Sequence, residues 1–291
     1  MTPAPADRRA RAAALAFGIS AFAAAFAAFA AAFAAAAQTG VPSLDRRLLV
    51  VLTGDSITEG VITDSSLAIP PGVSPADAVC WRDLCYAAIV RARLADLAAR
   101  GEIEPVLVGN RGVGGATSRD WDPDDFRVDD LHFLANTTLY GNQGLFYNIP
   151  AADVVVHYVG TNDAVAFFEE GPPLTPRDYA SKLVDFAVTL RRRGVAHVLL
   201  ATPPVPVGWR GTEQGVRMQL YGEAVRQACA HLNEGFGTET CLVELQREFP
   251  DDVGWEGDAI HPTAAGHAFI AERVLEAIVP LVAEPRVPLP E

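Results

Sequence analysis

Four short stretches of the chain carry residue types that can act together: Gly54-Asp55-Ser56-Ile57-Thr58-Glu59-Gly60, Asn110-Arg111-Gly112-Val113-Gly114-Gly115-Ala116-Thr117, Gly160-Thr161-Asn162-Asp163 and Asp258-Ala259-Ile260-His261-Pro262. They offer a hydroxyl, an imidazole, a carboxylate and several N–H donors. Acyl transfer needs that set: an activated nucleophile, a base oriented by a third group, and donors for the developing oxyanion. Ser56 falls where a strand turns into a helix, so its hydroxyl can face a cleft and the helix N-terminus favours negative charge. Asp258 and His261 are three apart, and one turn can hold carboxylate and imidazole together. His261 would take the Ser56 proton, with Asp258 on its other ring nitrogen. Gly115 has no Cβ, so its N–H can approach an oxyanion; the Asn162 amide supplies another donor and the Ser56 N–H a third. Asp55, Asp163 and Asn110 read as scaffold, short polar side chains bonding nearby backbone N–H groups.

These residues need a frame. Leu48–Thr53 (LLVVLT) is a short continuous apolar run, expected of a strand buried on both faces. Further strands are expected over Pro105–Gly109, Asp153–Val159, His197–Thr202 and Cys241–Leu245. Helices are expected over Trp81–Arg100, Pro176–Arg193, Thr212–Leu232 and Thr263–Val282. Five strands interleaved with helices predict one α/β domain, residues 45–285, with a mostly parallel sheet and right-handed crossovers. In such sheets the functional loops lie beyond the carboxyl ends of the strands. The four stretches follow strands one, two, three and five, so they converge on one edge.

In that order, GDSITEG, N-x-G-x-x-G-x-T, GTND and DAIHP resemble the four blocks of the SGNH (GDSL) lipase/esterase family. One Gly-Asp-Ser or one Asp-x-x-His is common by chance; four ordered blocks at strand ends are specific. The resemblance covers almost the whole domain. It implies a three-layer α/β/α sandwich on a flavodoxin-like five-stranded parallel sheet, and hydrolysis of esters or thioesters through an acyl-enzyme. It places Ser56, Gly115, Asn162 and His261 at the family's four named positions. Gly114 stays the alternative oxyanion glycine, because the doubled glycine blurs the register.

Other chemistries are poorly supported. A net charge of −13 disfavours nucleic-acid binding, which wants a basic surface. G-x-S-x-G, HExxH, the phosphate-binding GxxxxGK[ST] and the dinucleotide GxGxxG are all missing. His157, inside an apolar run, reads as a satisfied core histidine. Asp120, Asp122, Asp124, Asp125, Asp129 and Asp130 fail a calcium loop twice, with Asp125 in the glycine place and Leu131 in the glutamate place. They read as a solvated acidic loop. No metal or organic cofactor is expected. Residues 125–152, rich in aromatics, read equally as a lid of the cleft or a hydrophobic cluster beneath a loop. Trp121, Trp209 and Trp255 follow strand ends, where a ring can stack on a sugar or line an acyl pocket. Asn136-Thr137-Thr138 is an N-glycosylation sequon.

Ahead of the domain, residues 12–37 carry no charge and follow Arg8, Arg9 and Arg11. Residues 1–40 read as a signal peptide or an uncleaved N-terminal membrane anchor, and either would export the domain to the periplasm or the exterior. Cys80, Cys85, Cys229 and Cys241 have no zinc spacing and can form one or two disulfides there or stay buried thiols. The expectation is an exported serine esterase acting on a small-molecule or glycan ester, with a short acyl group such as the acetate of an O-acetylated carbohydrate. A glycan O-acyltransferase and a non-catalytic carbohydrate-binding module are the alternatives.

Overall fold

The computed structural model describes residues 47–62, 84–123, 149, 152–165, 172–237, 241–251, 254–255 and 260–283. In chain order the elements are β1 (Leu48–Gly54), α1 (Ser56–Glu59), α2 (Tyr86–Ala99), β2 (Val106–Gly112), β3 (Val154–Tyr158), α3 (Thr161–Val165), α4 (Pro176–Arg192), β4 (His197–Ala201), α5 (Glu213–Phe236), β5 (Leu242–Val243) and α6 (Ala264–Ala283). The strands form one parallel sheet in the order β2-β1-β3-β4-β5. That is the flavodoxin-like order, whose ligand crevice lies where the connections out of β1 diverge to either side.

Alternation along each strand sorts the core into two layers. Val50, Leu52, Val154, Val156 and Leu199 pack with Tyr86, Val90 and Leu94 of α2 and Ile270, Val274 and Ile278 of α6. Val51, Val155 and Leu200 pack with Leu183, Phe186 and Leu190 of α4 and Met218, Tyr221 and Val225 of α5. The sheet is therefore covered on both faces, which is why its strands read as unbroken apolar runs. In register, Gly54 stands opposite both Gly112 and Tyr158, so β1, β2 and β3 deliver their loops level with one another.

The differences from the sequence reading have local causes. β2 runs on through Asn110-Arg111-Gly112, because these polar residues keep pairing with Leu52, Thr53 and Gly54. β5 keeps only two residues: the Thr202 hydroxyl accepts the Leu245 and Gln246 N–H groups and ends the ladder. α2 starts at Tyr86, where the Cys85 sulfur accepts the Ala88 N–H at 3.4 Å. Cys85 is disulfide-bonded, whereas Cys229 and Cys241 are free buried thiols 2.7 Å apart.

The loop after β2 corrects two expectations. Asp122 is not solvated but buried and paired with Lys182, and half-buried Asp120 accepts the Thr117 N–H and hydroxyl. Trp121 does not face a cleft but lies in the core, edge-on to His157 and Phe186. Among the described residues no helix is long and apolar enough to cross a membrane. The 12–37 segment, Cys80, the sequon, residues 124–148 with the remaining acidic positions, and Asp258 lie outside the described residues.

Candidate active site

β1 ends in a tight turn whose Asp55 side chain caps α1, accepting the Ile57 N–H at 2.9 Å. The cap sets Ser56 as the first helical residue. The turn is anchored from outside, since the Tyr86 hydroxyl donates to Thr58 Oγ1 at 2.8 Å and the Asn110 amide donates to the Thr58 carbonyl at 2.8 Å. His267 braces it further. Its Nδ1 accepts the Tyr86 N–H, so the proton sits on Nε2 and is donated to the Val61 carbonyl at 2.9 Å. Burial pushes its pKa down to about 4 and keeps the ring neutral.

Ser56 Oγ lies 2.8 Å from His261 Nε2, across 205 residues of sequence. His261 is held just ahead of α6 by a bridge between Trp255 and Pro262, and by Thr263, whose hydroxyl accepts the Gly266 N–H. Trp255 packs on Phe249, its ring centroid 4.8 Å away. Asp258 is not among the described residues.

The loop after β2 passes beside Ser56. Val113 N–H donates to the Gly54 carbonyl and Ala116 N–H to the Val113 carbonyl, closing a turn whose Gly115 has φ +80°, a conformation glycine adopts without strain. One Asn162 amide N–H donates to the Ala116 carbonyl at 3.0 Å, so α3 and the glycine turn meet. Asp163 fixes the same junction by accepting the Ser118 N–H and hydroxyl. Among the described residues the Ser56 and Gly115 N–H groups make no hydrogen bond. A nucleophile beside an imidazole, with uncommitted donors nearby, is the equipment for acyl transfer.

Two acids shape the field. Asp55 is fully buried, and one of its oxygens, Oδ2, has no partner among the described residues. Burial raises its pKa to about 7, against the lowering effect of the Ile57 N–H and of His261. Half-buried Glu59, which the sequence reading does not single out, also has its pKa raised by burial, with the Gly114 N–H opposing. Its only signal in sequence is its place three residues after Ser56. Among the described residues no cluster of three His, Cys, Asp or Glu side chains can hold a metal.

Residues 52–269 match the GDSL-like lipase/acylhydrolase family. Among solved structures, a variant of an acetyl xylan esterase from Geobacillus stearothermophilus is similar at a TM-score of 0.53 and 21% identity, over 79% of this chain and 94% of that one. A lipase/acylhydrolase from Enterococcus faecalis is similar at a TM-score of 0.51 and 22% identity, over 82% of this chain and 99% of that one. At such identities the likeness shows the shared fold. No curated protein sequence matches the chain.

Proposed function

The chain belongs to the GDSL-like lipase/acylhydrolase family and is a carboxylic ester hydrolase, and we propose that it works through an acyl-enzyme on Ser56, with a short-chain acyl ester of a carbohydrate as substrate. The observation that carries the reading is the 2.8 Å contact between Ser56 Oγ and His261 Nε2 beside uncommitted N–H donors. His261 takes the Ser56 proton as Oγ attacks the ester carbonyl. The tetrahedral oxyanion is met by the N–H groups of Ser56 and Gly115 and by the second amide N–H of Asn162. The imidazolium, stabilised by Asp258, gives its proton to the departing alcohol, and water resolves the acyl-enzyme by the same steps in reverse.

The acetylated-carbohydrate assignment takes support from the named activity of the Geobacillus stearothermophilus neighbour and from Trp255 beside the His261 turn. A panel of esters of graded acyl length, on sugar and on simple alcohols, tests it, with a free acceptor sugar in parallel. Acetyl sugar esters should turn over fastest, with water as the acceptor. Preference for long acyl chains would overturn the substrate assignment, and transfer outpacing hydrolysis would make the protein an O-acyltransferase. Residues 12–37 would export the domain. A mature N-terminus near Gln38, or an intact Met1 in the membrane fraction, agrees with export, and full-length protein in the cytosol contradicts it.

A further inference from the structure

Two cysteines meet in the core, far from the Ser56 turn in sequence. Cys229 lies on the buried side of α5 and Cys241 just before β5, and both belong to the layer that packs α4 and α5 on the sheet. The Cys229 thiol donates to Cys241 Sγ at 2.7 Å, a separation only about 0.7 Å longer than a covalent S–S bond. Main-chain structure fixes both ends. Cys229 is carried within α5, and the Cys241 carbonyl accepts the Leu200 N–H of β4 at 2.6 Å. Joining the sulfurs therefore asks for side-chain rotation and not for the displacement of a helix or strand.

We propose that Cys229 and Cys241 form a disulfide site that staples α5 to the start of β5. β5 gains most from it, as a two-residue strand at the end of the sheet that pairs with β4 alone. The bond needs an oxidant, and a small-molecule disulfide supplies it. One cysteine thiolate attacks that disulfide, expelling half of it as a thiol and leaving a mixed disulfide; the second cysteine then displaces the other half. One S–S bond breaks and one forms, and two protons and two electrons pass from the cysteines to the two released thiols. Cys241 is the entry point, because it lines a pocket with Arg191, His197 and Phe236. The Cys229 thiol is the poorer nucleophile, since its bond to Cys241 and its burial hold its pKa well above the ordinary value. The export proposed above would bring the pair to an oxidising compartment.

The test uses the full chain, reduced and then incubated with bis(hydroxyethyl) disulfide, and it is independent of the Ser56 reading. Peptide mapping without reductant should show a Cys229–Cys241 cross-link beside the Cys85 disulfide. Closing a loop of this length should raise the melting temperature on oxidation by about 6–12 °C more in the wild type than in Cys229→Ser, which keeps the Cys85 disulfide alone. Ester hydrolysis should change by less than about twofold, because neither cysteine belongs to the proposed catalytic set. Thiols at 229 and 241 that can still be alkylated once the oxidised chain is unfolded would overturn the site, as would a cross-link from either to Cys80 or Cys85. An equal gain in melting temperature in the two proteins would overturn the stapling role, and a large loss of hydrolysis on oxidation would show a switch in its place. Should Cys229→Ser fail to fold, the wild-type peptide map decides alone.

Discussion

Two hydroxyl–imidazole pairs occur three residues apart along the end of β1. Thr53 Oγ1 lies 2.9 Å from His157 Nδ1, and Ser56 Oγ lies 2.8 Å from His261 Nε2. By distance they are equivalent; by chemistry they are opposites. Thr53 donates its proton to the Val156 carbonyl at 3.1 Å, so its oxygen accepts from His157 Nδ1–H. The imidazole thus presents a proton, not a lone pair, to the hydroxyl. Burial drives its pKa down to about 3, and its ring is stacked on Phe186 with a centroid separation of 4.0 Å. Ser56 has no rival acceptor among the described residues, and its pair is only partly buried. The contrast teaches that proximity does not make a base. The direction of the hydrogen bond and access to the cleft decide.

Mutation can sharpen that contrast. The largest effect is expected at His261. His261→Ala should remove nearly all ester hydrolysis, whereas Thr53→Val should leave kcat/KM unchanged and show only as lost stability. Comparable catalytic losses in both would erase the distinction. Asp258→Asn should come next. It removes the proposed orienting acceptor of the imidazole and should cut kcat/KM across the pH range. An unchanged rate would make Asp258 scaffold. Asn162→Ala removes one proposed oxyanion donor and should lower kcat by roughly 10²–10³, read by steady-state kinetics at saturating ester.

The smaller effects concern stability. Thr53→Val leaves the buried His157 N–H without an acceptor and should cost about 1–3 kcal/mol in urea unfolding. Asp55 gives a pH signature. Its folded-state pKa is raised, to about 7, so its contribution to stability is complete below the unfolded carboxylate range and is lost as pH rises from about 4 to 7. Asp55→Asn should flatten the melting temperature over that window. A wild-type curve already flat there would show that Asp55 is ionised throughout.

The sequence made the site easier to read than the surfaces around it. The strand positions follow from apolar runs and turn glycines, which are short-range patterns, whereas the flavodoxin-like order and the Ser56–His261 meeting were legible only through the resemblance carried by the four blocks. Asp55, Asn110 and Asp163 act as the scaffold their size and loop positions suggest. What escaped depends on distant partners. Asp122 looked solvated in an acidic run, but Lys182, the chain's single lysine, folds against it from α4. Trp121 looked like a cleft ring, but α4 and β3 enclose it.

The central claim is that Ser56, and not another hydroxyl of the chain, forms the covalent bond to the acyl group. A fluorophosphonate that reacts only with activated serines tests it most directly, with the adduct mapped by peptide mass spectrometry against residual ester hydrolysis. The account predicts one adduct per chain, on the Ser56 peptide, forming in step with loss of activity and absent in Ser56→Ala, which should itself retain no measurable hydrolysis. An adduct on another residue, or more than about a tenth of wild-type turnover in Ser56→Ala where a loss of orders of magnitude is expected, would contradict it.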